Sequence, residues 1–327
     1  MSAVETPVLR AGFLAMGTWV TVTVAVDAAR RAAAEEAVSA VRSLIEGFGR
    51  DWWAWGEGAL AAINHRLAAG AAAEIPAGMR ELFTRAWELR QLSGGRFEPR
   101  IAALVQLWGF DDPAHLRSEP PATAEIAQLL SALHTAPPYE GGSGYGPAPG
   151  VGWDFGGIGK GYIVDQALEL LRGRGFADAL IDAGGNLAVR GANGARPWRI
   201  GIRDPRAADG GLLLTTLTAR DEAVNTHGDD QRYFEYQGRR YAHLLDPATG
   251  IPARGLRALT VVHRDATLAE AGGAALYVAT PAERPSVAQR LGIASYLLVG
   301  EDGVVRASPA LLPRLEPEPG VQIERLS

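Results

Sequence analysis

The residue types best suited to chemistry lie in a few polar, glycine-punctuated turns. Asp154 precedes Gly156-Gly157-Ile158-Gly159-Lys160-Gly161, which sets a carboxylate and a lysine around a glycine run. Glycines between a strand and a helix let the backbone pass close to a ligand, and the first amides of the helix are open to an anion. Lys160 adds positive charge at the same place, so a phosphate-bearing ligand is expected. His243 stands just before the sequence LLDPATG, and His227 lies in NTHGDD. Both occupy polar turns where an imidazole can exchange a proton near neutral pH, or simply be solvated. No histidine of the chain falls in an HExxH or paired spacing. Asp154, Asp182, Asp229, Asp246 and Glu270, all near glycine turns, are candidate oxygen ligands for Mg²⁺ and equally candidate caps or turn residues.

Other chemistries are set aside by pattern. The glycines around Lys160 match neither the dinucleotide fingerprint nor the GxxxxGK[ST] phosphate loop. No GxSxG elbow favours acyl hydrolysis. The chain has no cysteine, hence no disulfide and no thiolate metal site. A net charge of −5 and a pI near 5.8 leave no basic excess to attract nucleic acid or an anionic membrane. No window approaches a membrane span, and MSAVETPVLRAGFLAMGTW carries neither a basic-then-apolar leader nor a lipobox, so a cytoplasmic location is expected.

The elements that must position these residues follow from periodicity. A short strand ending in Asp154, then a helix with Val164, Ala167, Leu168 and Leu171 on one face, then a strand from Ala179 to Ile181 and the pair Gly184-Gly185 form the centre. Val20, Val22, Val24 and Val26 alternate as in a half-buried strand, and Asp27 caps a helix bearing Val38, Val41, Leu44, Ile45 and Phe48. Residues from about 65 to 136 read as a helical lobe, with one helix around Met79 to Leu89 and another around Ile126 to Leu133. Pro137 to Gly152 is a low-complexity stretch expected to be a flexible crossing loop. From Trp198 the pattern turns to strands and hairpins, with turns at Gln237-Gly238 and Asp302-Gly303 and helices near Leu268–Tyr277 and Ser286–Leu291. The tail from Pro309 is expected to pack loosely. Hairpins mixed with helices point to an α+β fold in one two-lobed domain over residues 1–327, with 47% hydrophobic residues to build its core.

Taken in order, these segments resemble one family, the ApbE-type flavin transferases or FAD:protein FMN transferases. The resembling pieces are MGTWVTVTV, SGGRFEP to LVQLWGF, DFGGIGKGYIVD, DAGGNLAVRG, WRIGIRDP, the NTHGD turn, RRYAHLLDPATG and the LAEAGGAALYV helix. Together they span about residues 13 to 308. The resemblance implies an FAD-binding cleft and Mg²⁺-dependent transfer of the FMN moiety to a Thr or Ser hydroxyl of an acceptor flavoprotein, with release of AMP. Some members hydrolyse FAD to FMN and AMP instead, and a flavin-binding protein without turnover is the third alternative.

The resemblance also assigns residues. Met16 is expected against the flavin, with Trp53 or Trp55 stacking, and Arg96, Phe97 and Glu98 as a run of FAD contacts. Asp154 and Lys160 match FAD-contacting positions, and the Gly157 carbonyl matches a metal ligand. His243 is the group expected to assist the acceptor hydroxyl, with Lys160 beside it in the catalytic set. Three departures stand out. Where the family carries an Asp and, four residues on, a Thr as metal ligands, this chain has Glu270 and Ala274; Gly273 stands where some members place a second acid; and His227 replaces a small Ser, near the FAD phosphates.

Overall fold

The structure is a computed structural model that describes residues 7–112, 114–194, 196–207 and 211–326. Eight helices are present among them: α1 (Arg31–Asp51), α2 (Ala59–Ala68), α3 (Arg80–Leu92), α4 (Ala102–Leu107), α5 (Thr123–Thr135), α6 (Gly159–Gly173), α7 (Ala266–Val278) and α8 (Arg284–Leu291). The first strands are β1 (Val8–Ala15), β2 (Thr18–Ala25), β3 (Ala73–Glu74), β4 (Gly144–Tyr145), β5 (Ala179–Ala183) and β6 (Asn186–Arg190). Next come β7 (Trp198–Arg203), β8 (Leu213–Ala219), β9 (Glu222–Gly228), β10 (Tyr233–Tyr236), β11 (Arg239–Ala242), β12 (Leu245–Asp246) and β13 (Ile251–Pro252). The last are β14 (Leu256–His263), β15 (Ser295–Gly300), β16 (Val305–Ala307), β17 (Leu315–Pro317) and β18 (Ile323–Arg325).

The frame is a nine-stranded sheet in the order β1-β2-β5-β6-β9-β14-β15-β16-β18. It is antiparallel except where β16 runs parallel to β18. With helices on one face and a small second sheet on the other, the fold is α+β.

Strand alternation divides two cores. In β14, Leu259 and Val261 join a cluster with residues of α1, α6 and α7, whereas Ala258 and Val262 join the opposite cluster under the sheet β17-β8-β7. Trp198, Ile200 and Ile202 are that second sheet's buried face. In β9, Ala223 belongs to the helical side and Val224 to the other. Period two therefore carries Asn225 and His227 to the helical side, over α7.

α6 and α7 meet at their N-termini and cap each other. A Cβ on Gly161 would stand 2.2 Å from the Ala266 carbonyl oxygen, so only glycine permits this approach. Asp165 of α6 accepts from the Ala266 and Thr267 amides of α7 at 2.9 and 3.1 Å. In return, Glu270 of α7 accepts from the Gly161 amide of α6 at 2.7 Å. Each helix thus places a carboxylate at the positive end of the other, where unpaired amides and the dipole favour an anion.

Four expectations change. The stretch before Asp154 is extended but not a strand; Gly152 forms one isolated bridge with Ile101, and the Asp154 amide donates to Pro99 at 2.7 Å. Residues 137–152 are anchored at several points. β4 pairs with β3, and the Tyr139 and Tyr145 rings are buried against Trp153, because aromatic residues hidden among the glycines give the segment a core to join. The tail is tied down by β17 on β8 and β18 on β16. Asp27 caps a short 3₁₀ turn, Ala28–Arg30, that leads into α1, rather than α1 itself.

Candidate functional site

The hairpin β10–β11 is fixed by a stack of rings. Phe234 and Tyr241 lie 5.2 Å apart and nearly parallel, Trp108 stacks on Tyr241 at 5.7 Å, and Phe110 on Trp108 at 6.4 Å. Trp108 donates to the Gly250 carbonyl at 2.7 Å, tying the LVQLWGF segment to the turn that follows His243. Arg232 and His243 are the base of this hairpin. The His243 amide donates to the Arg232 carbonyl at 3.1 Å, and Arg232 Nη1 donates to the Phe110 carbonyl at 3.1 Å.

His243 Nδ1 also meets the Arg232 carbonyl oxygen, at 3.3 Å. A carbonyl only accepts, so Nδ1 carries the proton and Nε2 keeps a lone pair. Burial, reinforced by the positive charges of Arg232 and Lys160, lowers the His243 pKa to about 3. The ring is neutral at pH 7, with its lone pair on Nε2.

The glycine turn supplies the neighbouring charges. The Asp154 carboxylate accepts from the Gly156 amide at 2.8 Å. Burial raises its pKa, and the Gly156 amide, Arg232 and Lys160 pull it back. Lys160 Nζ donates to the Gly156 carbonyl at 3.2 Å and pairs with Glu270 Oε1 at 3.0 Å. Asp154, Lys160, Arg232, His227 and His243 are thus close enough to feel one another's charge. Two of the amides expected to be open at the start of α6 are already taken: the Gly159 amide donates to Phe155 and the Gly161 amide to Glu270. The chain's own carboxylate sits where a phosphate was expected.

His227 faces Gly273. A Cβ on Gly273 would lie 2.5 Å from both Cδ2 and Nε2 of the imidazole, so the ring occupies the room that a side chain at 273 would take. Its Nε2 is buried without a hydrogen-bond partner. Burial first, then Lys160, lowers its pKa to about 4, so this ring is neutral too.

The remaining expected contacts lie on several other elements. Met16 holds a left-handed turn between β1 and β2 (φ 52°) and packs against Gly49 of α1. Trp53 is 52% exposed, Trp55 is half-buried, and the inward ring of DWWAW is Trp52, stacked on Phe48 at 5.1 Å. Phe97 is buried beside Gly157. Arg96 is held between Asp246, at 3.2 Å, and Glu283. Glu98 departs from the expected flavin contact. It is buried, and although burial opposes its charge, Arg100 and Arg90 bind both oxygens and hold its pKa below the usual carboxylate value. Arg96 and Glu98 line a separate cleft of about 410 Å³ shared with Arg90, Arg290 and the Pro247-Ala248 turn. Asp182 and Asp246 accept from the amides of Gly185 and Ala248, and Asp229 pairs with Arg240 at 3.6 Å. They are turn and ion-pair residues.

Sequence reasoning missed Arg232 and Asp165. Arg232 mirrors His243 about the Gln237-Gly238 turn, and that symmetry is the signal that marks it. Asp165 closes the GKGYIVD motif, and its spacing from Lys160 gave no hint that it caps a different helix.

The donor set does not fit the metal that the resemblance implies. Gly157 does lie near Ala274, 4.0 Å from Cβ to Cβ if Gly157 had one, so the expected positions do come together. Their chemistry has gone. Ala274 and Gly273 have no side-chain donor atom, and Glu270 spends one oxygen on the Gly161 amide and the other on Lys160. Among the described residues, no three His, Asp or Glu side chains gather for a metal ion. The side chains at 270, 273 and 274 therefore do not fit a divalent ion, and Glu270 instead ties α7 to the start of α6.

The chain is 33% identical over 290 residues to a protein of Rhodobacter capsulatus named FAD:protein FMN transferase, covering 87% of this chain and 54% of that one. It thus spans about half the length of that relative. A protein of the same name from Treponema pallidum is 30% identical over 283 residues, 79% of this chain and 75% of the relative. Among solved structures, the ApbE protein of Thermotoga maritima superposes with a TM-score of 0.83 at 28% identity, covering 95% of this chain and all of that one. The apo flavinyl transferase ApbE of Pseudomonas stutzeri gives 0.79 at 26%, covering 95% and 97%. The model of the ApbE family matches residues 16–297, from the Met16 turn through the His243 hairpin and α7 to β15. The chain belongs to the ApbE family.

Proposed function

We propose that this chain is an FAD:protein FMN transferase, acting on FAD and on a Thr or Ser hydroxyl of an acceptor flavoprotein. The observation that carries the reading is His243, with Nδ1 held by the Arg232 carbonyl and a neutral Nε2 beside two cations. A base must be deprotonated and within reach of the hydroxyl proton, and oriented cations must meet the charge that develops on phosphoryl oxygens. In the proposed step the acceptor oxygen bonds to the FMN phosphorus and the bond from that phosphorus to the bridging oxygen breaks. AMP leaves with the bridging oxygen, and the hydroxyl proton passes to His243 Nε2. Lys160 and Arg232 hold the phosphates; in-line positioning does the rest. The Mg²⁺ of the resemblance is not part of this proposal, since the residues of α7 do not fit it.

A second reading, a flavin-binding protein without turnover, is favoured by the same α7 residues. The test is covalent flavin fluorescence on an acceptor flavoprotein after incubation with FAD, with AMP measured in parallel. Label on the acceptor with AMP supports transfer. AMP alone identifies an FAD pyrophosphatase, and bound FAD without AMP identifies the binding protein. His243→Ala is expected to keep FAD affinity while transfer falls by about a hundredfold or more.

A further inference from the structure

The disagreement between α7 and the implied metal points to a replacement. The carboxylate at 270 is buried, 1% exposed on its side chain, and both oxygens are engaged. The engaged partner is itself a cation. Lys160 Nζ has three N–H donors, and two are directed at the Gly156 carbonyl and Glu270. Its side chain is 25% exposed, so the third donor is available to a ligand. The room at 273 is filled by the neutral His227 ring rather than by an acid.

We propose that in this chain Lys160, braced by Glu270, is the cation that meets the FAD pyrophosphate, and that FAD binds without a divalent ion at α7. The inference rests on the flavin reading above. Glu270 is then a positioning residue: it aims the ammonium and seals the α6 terminus, and it does not ligate metal. A divalent ion brought to the same carboxylate would have to displace Lys160 from it, against the repulsion of the ammonium it displaces.

The test is calorimetric titration of the wild-type chain with FAD, in EDTA and in excess Mg²⁺, together with the electron paramagnetic resonance signal of Mn²⁺ titrated alone and with FAD. The expected result is the same FAD affinity in both media, within about twofold, and no stoichiometric Mn²⁺ site. Lys160→Gln is expected to weaken FAD binding about tenfold or more in EDTA. Tightening of FAD by tenfold with Mg²⁺, or one tightly held Mn²⁺ per chain, would overturn the replacement while leaving the flavin reading intact. FAD that fails to bind in either medium would remove the flavin reading and this inference with it. The two media are compared on the unaltered protein, so the outcome does not depend on whether a variant folds.

Discussion

Glu270→Ala removes a carboxylate that the structure makes part of the frame. The side chain is buried, and it accepts from the Gly161 amide at 2.7 Å and pairs with Lys160 at 3.0 Å. Truncation leaves a buried amide without a partner, a loss of about 1–3 kcal/mol. Lys160 is one-quarter exposed and can turn to water, so the broken pair adds about 1 kcal/mol or less rather than the cost of a stranded buried charge. The expected destabilisation is about 1–4 kcal/mol. Glu270→Gln keeps an acceptor for Gly161 and loses only the charge, for about 1 kcal/mol. Guanidinium unfolding of the three proteins, followed by far-ultraviolet circular dichroism, gives the order wild type, Gln, Ala. An alanine variant within about 0.5 kcal/mol of wild type would refute the junction, since changes away from buried networks have effects of that size.

Three further outcomes are expected. His227 is buried neutral with its pKa lowered from 6.5 to about 4, so the unfolded chain takes up the proton first on acidification; stability is held above pH 6.5 and is lost as pH falls towards 4, by up to about 3 kcal/mol. Asp154 and Asp165, whose pKa values burial raises, act in the opposite sense, so the readout is the wild-type stability minus that of His227→Ser at each pH; a difference that stays flat from pH 7 to 4.5 would refute the buried neutral ring. Gly273→Ala places a methyl 2.5 Å from the His227 ring and is expected to destabilise by about 1–3 kcal/mol, and His227→Ser in the same chain is expected to restore most of it; simple addition of the two effects would contradict the contact. Gly161→Ala drives a methyl against the Ala266 carbonyl at 2.2 Å, and backbone cannot swing aside as a side chain can, so a larger loss in thermal midpoint than for Gly273→Ala is expected.

What the sequence disclosed was what periodicity and turn chemistry encode. β2, α1, α3, α5, α6, the β10–β11 hairpin and the β15–β16 hairpin all lie where alternation, helical faces and glycine turns put them. The anchoring of 137–152 is not legible in composition, which counts its glycines and prolines and overlooks Tyr139 and Tyr145, two anchors that matter only once Trp153 and Phe83 are beside them. The site was legible as a set of residues and illegible as a set of bonds. Nothing in spacing tells that Glu270 reaches across 109 residues to the Gly161 amide, or that Asp165 returns the favour to Ala266 101 residues away. Each carboxylate answers a helix terminus belonging to the other element, and only the packing of α6 on α7 reveals it. Arg232 was invisible for a related reason: its importance comes from being the hairpin partner of His243, not from any motif of its own.

The most direct test of the central claim is to mix the purified chain with one equivalent of FAD and an excess of acceptor flavoprotein, and to count AMP released against FMN bound covalently to the acceptor. Equal amounts of the two are expected from the wild type and, in the time the wild type takes to finish, about a hundredth or less from His243→Ala at the same FAD occupancy. Full AMP and acceptor labelling by His243→Ala would contradict the role given to His243, and an unaltered chain that holds FAD but yields no AMP would contradict the transferase.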